Sequence, residues 1–483
     1  MKTTTVFTLS AAALVSMACY DFKVTDPNAP TTQSVYGSPT RANMSAAAIG
    51  IFDQARQDVE SYVWRLGSMG REGVNLSGNN QPDYQEPYYG PLSSTQFGGS
   101  QWGNPYIEIR LDNLYDDAVV NAPDLSSDEK KASVAFGETQ KALALFYVIQ
   151  TRAQLGAPVE VDLSPTATPA PFVGEDSVYR AIIDLLADAR TKLAGNAAGA
   201  FPFPMPQGYS LVNTPQTFGQ FAQALAAKAW IFRATDVNGC NGAPANCYTT
   251  ALNLLDSLAT SGFLVEDPAS FQNGVYFDFS ANPGDTQNGL SDPLNGNLYF
   301  ALDVQQTDAQ VQTDGVTPDA RVGAKIVPST APQVLSGFPI HGNLKYAMYL
   351  SNGAANPAAE VAIIRDEELV LLKAEAELGL GQLTNATNDI NVTRQGSGGL
   401  SMLPPGLSAD SLLTDLLYER RYSLMWEQGT RWIDARRYKR LGDIEANPDG
   451  LSGGHVPPVM PVPASECTAR GLGNVCTPTL VAQ

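Results

Sequence analysis

The chain has 483 residues, 43% hydrophobic and 16% charged, which is enough for a large core and unlike a disordered chain. Thirty Lys/Arg against 49 Asp/Glu leave a formal net charge of −19, which argues against nucleic acid as a partner and against a basic patch for anionic lipid. Its two histidines, His341 and His455, leave little for histidine catalysis or a zinc site, so no metal and no cofactor are expected.

Residues 1–18 open with Lys2 and run through the apolar stretch Ala11 to Val15 into Ser16-Met17-Ala18-Cys19. This is a secretory signal layout, too short to span a bilayer. A small residue followed by Cys resembles a bacterial lipobox, so Cys19 is expected to become a lipid-bearing mature N-terminus. Residues 19–40 are then a lipid anchor and a flexible Pro-, Thr- and Ser-rich tether. The other cysteines lie in Gly- and Asn-rich loops. In an exported chain they are expected to pair locally, Cys240 with Cys247 and Cys467 with Cys476, and the lack of a nearby His disfavours a metal site instead.

From Arg41 onward helices dominate, beginning with Ile49, Phe52, Val59 and Val63 at helical spacing. Tyr62 to Tyr106 is expected to be a long loop. Its aromatics Trp64, Tyr84, Tyr88, Tyr89, Phe97, Trp102 and Tyr106, set among Gly, Asn, Gln and Pro, suit a sugar, whose C–H face stacks while its hydroxyls need polar partners. The alternative is a loop that folds back on its own scaffold. Pro105 suits a helical first turn, Ser126-x-x-Glu129 is a capping box, and Gly156 stops the helix that the box opens. Amphipathic stripes follow at Ile182 to Leu193, Phe218 to Phe232 and Ala251 to Leu258.

Lys141-Ala142, Lys228-Ala229 and Lys373-Ala374 echo one another in Ala/Leu-rich helices, the latter two followed by a second helix. Such pairs resemble tetratricopeptide repeats, which stack to bury their faces, so one superhelical scaffold is expected. Residues 263–350 change to irregular structure with short strands such as 297–301, and supply Tyr299 and Tyr346 as further binding candidates.

Residues 415–440, DLLYERRYSLMWEQGTRWIDARRYKR, mix apolar residues with charge on nearly every side of a helix, so the charges must be paired as they are buried. Glu419, Arg420, Arg421, Glu427, Arg431, Trp432, Asp434, Arg436 and Arg437 are read as a structural clasp of Arg–carboxylate forks, with an arginine-built anion site as the alternative. Glu419-Arg420-Arg421, Trp426-Glu427-Gln428-Gly429 and Arg431-Trp432-x-Asp434-x-Arg436-Arg437 resemble the C-terminal signature of the SusD/RagB family. Ser423, Met425, Gln428 and Thr430 depart from it, and Pro461-Val462-Pro463-x-x-Glu466 is similar to its closing segment.

The resemblance implies a mostly α, single-domain, tetratricopeptide-like superhelix with loop-rich, short-stranded insertions. Residues 41–264 would form an N-terminal scaffold with the aromatic loop, and 265–483 the part with the arginine-rich signature helix. It further implies a surface-exposed lipoprotein of the outer membrane. Such a protein binds an oligosaccharide or other large nutrient and passes it to a SusC-like TonB-dependent transporter. No nucleophile elbow, phosphate loop or zinc-protease motif occurs, so no enzyme is expected. Two other readings stay open: a tetratricopeptide-like peptide-binding scaffold of the cell envelope, and an exported hydrolase.

Overall fold

The computed structural model describes residues 32–78, 80–161 and 167–481; the expected signal segment and Cys19 lie outside the described residues. The N-terminal half contributes α1 (Arg41–Ala55), α2 (Val59–Met69), α3 (Gln81–Tyr89), α4 (Gly103–Val119), α5 (Ser127–Arg152), α6 (Glu175–Leu193), α7 (Pro215–Ala234) and α8 (Pro244–Thr260). The C-terminal part adds α9 (Asp366–Gly379), α10 (Leu383–Gly396), α11 (Ala409–Ser423) and α12 (Thr430–Arg437). Local chemistry sets the boundaries. Ser126 and Glu129 close a reciprocal capping box on α5, Thr214 does the same with Thr217 on α7, and Pro occupies the first turn of α7 and α8.

Each helix of the scaffold packs on its predecessor, α4 through α8 in turn, and α8 then packs on α9 across the insertion 261–365. α10 continues the array and α11 lies against both α9 and α10. This is the tetratricopeptide-like scaffold of a single, mostly α domain. Stacking buries Phe136, Phe146, Ile182, Leu186, Phe218, Phe232, Leu255 and Leu372 together in one core.

The strands come mainly from the insertion. β1 (Gly73–Asn75), β4 (Tyr299–Ala301), β5 (Ile326–Leu335) and β6 (Phe338–Tyr346) form one sheet in the order β1-β4-β6-β5. Three pairs stand apart: β2 (Phe172–Val173) with β8 (Leu480–Val481), β3 (Gly274–Phe277) with β7 (Val361–Arg365), and the short turn pair Leu350–Ser351 with Ala354–Ala355. Gly73 opposes Ala301, so the sheet joins the N-terminal and C-terminal parts of the chain. Arg71, fully buried, ties them further. It donates to the carbonyls of Ser68, Pro87, Glu445 and His455, and its guanidinium lies 4.3 Å over the Tyr88 ring.

Three sequence expectations need correction. Residues 62–106 are not a long loop: α2, β1, α3 and the start of α4 occupy most of them, because Pro82 fits a first turn and Val59 to Met69 bury a full helical face. Within 263–350, β5 and β6 form a hairpin of ten and nine residues around Ser336-Gly337, longer than the short strands expected. Residues 415–440 are two helices, α11 and α12, separated by a turn in which Trp426 has φ 58° and Gly429 φ 66°.

Candidate functional site

The charged segment at the C-terminus comes together as a buried network, with partners from well outside the segment. Glu419 receives Arg321 at 2.6 Å and Arg394 at 2.9 Å. Glu427 is held bidentately by Arg365 and by Lys325 at 2.9 Å. Asp434 accepts from Arg420 at 2.6 Å and Arg437 at 2.8 Å, and both arginines also face Glu375. The Arg365 guanidinium and the Lys325 ammonium hold the Glu427 carboxyl below the ordinary range despite its burial. The remaining members bind otherwise. Arg421 pairs with the half-exposed Asp308, Arg431 donates to the carbonyls of Gly70 and Arg71, Arg436 caps the Gln150 carbonyl, and Trp432 donates to Pro457 O. Mutual satisfaction leaves most of this network no free charge for a ligand.

The aromatic candidates scatter. Trp64, Tyr88, Tyr299 and Tyr346 are at most 5% exposed, which removes them as stacking platforms. Trp64 packs edge-on to Phe97, Tyr88 donates to Gly73 O, Tyr299 reaches Glu60, and Tyr346 stacks on Trp426 at 4.5 Å. Their rings fill the space between helix and sheet, the burial that composition alone favours for large apolar groups. Tyr84 and Tyr89, half-buried, flank Phe338 at 5.1 and 6.2 Å. His341 and His455 lie apart, the first 3.8 Å from Asp449 and the second against Gly90. Among the described residues no group of three or more His, Cys, Asp or Glu could hold a metal.

Trp102, at 6% exposure nearly as buried as those rings, lines a cleft in which Tyr106 is the more open ring. Trp102 precedes α4, stacks on Phe172 of β2 at 5.7 Å and 14°, and touches Tyr106 one turn on at 4.9 Å. Beneath it Arg152 lies 5.3 Å from the indole, its basicity lowered to about 9 by burial. Opposite stand Glu466 and Arg470, i and i+4 on the short helix Ala464–Ala469 and its cap, joined at 2.6 Å. Arg470 also donates to Ala170 O and lies 4.7 Å over Phe172. Tyr106 donates to Pro158 O at 2.8 Å, and burial, reinforced by the Glu466 carboxylate, raises its phenol well above the ordinary range.

The cleft so bounded has a volume of about 410 Å³, with Arg110 and the exposed Glu160 at its rim. The sulfurs of Cys467 and Cys476 are bonded, which fixes the wall that carries Glu466 and Arg470; Cys240 is bonded to Cys247 at the start of α8. The partly exposed Tyr106 ring beside a carboxylate and a guanidinium offers C–H stacking and hydroxyl partners together. Sequence reasoning placed Tyr106 in the aromatic stretch but left out Glu466 and Arg470 as binding residues. The available signal was the Glu466/Arg470 spacing beside a cysteine pair, but nothing local tied it to Trp102.

Residues 333–455 match the model of the SusD family. No curated protein matches the chain in sequence. Among solved structures, a SusD-like carbohydrate-binding protein from Bacteroides fragilis superposes with a TM-score of 0.68 at 14% identity, covering 89% of this chain and 98% of its own. B. fragilis NanU gives 0.65 at 16% identity, over 95% and 100%. A laminarin-binding SusD-like protein gives 0.64 at 15%, over 89% and 98%.

Proposed function

We propose that this SusD/RagB-family chain binds an oligosaccharide in the Trp102–Tyr106 cleft and hands it to a TonB-dependent transporter of the outer membrane. The observation that carries this is the cleft itself, where the partly exposed Tyr106 ring meets the Glu466–Arg470 pair on a wall held by a disulfide. The scaffold keeps that wall in place while the ligand comes and goes. Delivery to a transporter requires release, so binding should be modest and quickly reversed. Laminarin binding by one structural relative, and the description of another as carbohydrate-binding, favour a glycan over a peptide. The reading assigns binding without bond-breaking chemistry.

In this proposal Cys19 carries lipid and tethers the protein at the cell surface beside a SusC-like barrel. Among the described residues no helix is long and apolar enough to cross a membrane. Calorimetric titration with a panel of neutral oligosaccharides tests the cleft. At least one should bind, and Tyr106→Ala should weaken it tenfold or more while Tyr84→Ala leaves it unchanged. Equal binding by both variants refutes the site. Detergent extraction of the outer membrane tests delivery. A large β-barrel should copurify with the wild type and be lost with Cys19→Ala, and recovery of the protein alone would refute the transporter partnership.

A further inference from the structure

Helix α4 has a second pocket on its other face. Trp102, Tyr106 and Arg110 follow one stripe of the helix toward the cleft, whereas Asn104, Pro105 and Glu108 lie roughly opposite, at helical spacing. These residues, with Gln54 and Asp58 from the junction of α1 and α2, bound a narrow pocket walled by Tyr62, Tyr147 and Phe277. Its free space is about 30 Å³, room for a group the size of a water or an ammonium with its first methylene.

The electrostatics of this pocket are one-sided. Among the described residues no Lys, Arg or His lines it, although three carboxylates do. Glu427 is already satisfied by Arg365 and Lys325. Asp58 accepts one hydrogen bond, from Asn104 Nδ2 at 2.8 Å. Glu108 is 5% exposed and its Oε1 has no hydrogen-bond partner among the described residues. A buried carboxyl oxygen left without a donor costs free energy, and each such group in a folded protein calls for an explanation. Burial, with Asp58 next in importance, pushes the Glu108 carboxyl well above the carboxylate range, as expected of an acid without a counter-ion. Aromatic walls add to the match, since ring faces attract a cation.

We infer that the pocket between Asp58 and Glu108 is a subsite for a primary alkylammonium group, as carried by an amino sugar or a simple amine. The ammonium donates to Glu108 Oε1 at the floor and to Asp58 at the half-buried mouth, and its stem lies along Tyr62, Tyr147 and Phe277. The site is distinct from the Trp102 cleft and does not depend on oligosaccharide binding there.

The test is calorimetric titration of the intact protein with matched pairs: n-butylammonium against n-butanol, and glucosamine against N-acetylglucosamine. Each ammonium member should bind at least tenfold more tightly than its neutral match. Glu108→Gln, close in shape to the native residue, should abolish that preference, and Asp58→Asn at the mouth should weaken it at least threefold. Circular dichroism establishes that each variant is folded, and the wild-type comparison stands even if Glu108→Gln does not fold. Butylammonium binding without glucosamine binding would restrict the site to simple amines and still support the pocket. Equal affinity for charged and neutral members, or an unchanged preference in folded Glu108→Gln, overturns the inference. A Tyr106→Ala variant should keep the ammonium preference, so loss of cleft binding and loss of this site are told apart.

Discussion

Gly67 sits within α2 directly beneath the indole of Trp426. A Cβ added there would lie 2.5 Å from Trp426 Cζ3 and 2.7 Å from Cε3, with Glu72 Oε2 next at 3.3 Å. The indole has nowhere to retreat. It is fully buried, stacks on Tyr346 with an interplanar angle of 11°, and its Cζ3 also abuts Gly73, where a Cβ would again fall at 2.5 Å. Two effects oppose each other in Gly67→Ala. Alanine in a helix interior gains about 1 kcal/mol over glycine. Overpacking a full core costs about 1–3 kcal/mol, and so close an approach to an immobile ring belongs at the upper end.

The net expectation is a loss of about 2 kcal/mol in the wild-type background. In a Trp426→Leu background the clash is gone, and the same change should add about 1 kcal/mol, a reversal of sign. Urea unfolding followed by far-ultraviolet circular dichroism suits the measurement, because in a chain of this size 1 kcal/mol moves the Tm by only about 1 °C. If Gly67→Ala is neutral or stabilising in the wild type, or costs the same in both backgrounds, the ring is not the constraint and the reasoning fails.

The pH dependence of Glu72 gives a second expectation. Burial raises its carboxyl to about 7 from an ordinary 4.5, so ionisation is disfavoured in the folded state and stability falls as pH rises through that window. Glu72→Gln does not titrate. Its stability should match the wild type below pH 4.5 and exceed it by about 3 kcal/mol above pH 7, and parallel urea curves across pH would disprove this. Arg420→Met leaves the buried Asp434 and Glu375 to share the single charge of Arg437 and should cost about 3–5 kcal/mol. Arg440→Met loses surface partners, the exposed Asp410 and Asp443 and the Thr414 hydroxyl, and should cost under about 1 kcal/mol, so equal midpoints for the two variants would contradict the burial argument. Replacing Cys467 and Cys476 by Ser releases a nine-residue span and should cost about 2–3 kcal/mol. Oligosaccharide titration of that pair should also show weakened binding in the Trp102 cleft.

Helical elements were legible wherever a stripe met a cap. Ser126 with Glu129 opens α5, Gly156 follows its end at φ 70°, and the apolar spacing of Ile182 to Leu193 is the buried face of α6. The aromatics of 62–106 were not separable by pattern. A tyrosine such as Tyr88, with its hydroxyl on a buried carbonyl, has the same local sequence character as one open to solvent. What decides is whether a distant segment covers the ring, and Phe338 and His455 cover Tyr88 from elsewhere in the chain. Likewise the clasp was visible as a density of charge, but Arg321, Arg365 and Arg394, which neutralise its glutamates, are set in place only by the tertiary fold. The Trp102 cleft takes one wall from each end of the chain, a juxtaposition that no local pattern encodes.

The sheet and the guanidinium of Arg71 give the fold an order in time. β1 lacks a partner until β4 has been made, and Arg71 stays short of acceptors until Glu445 and His455 arrive. Thr151 waits in the same way for the amide of Met460. These are long loops to close, and their entropy is lost before the contacts they permit are gained. A chain cut short before residue 445 would therefore leave a buried guanidinium without its far acceptors and β2 without its partner β8. Helices α4 to α8 can form as the chain emerges, but the native state closes only from the C-terminus. Completeness of the polypeptide is thus a condition of folding, and truncated copies would be exposed to proteolysis.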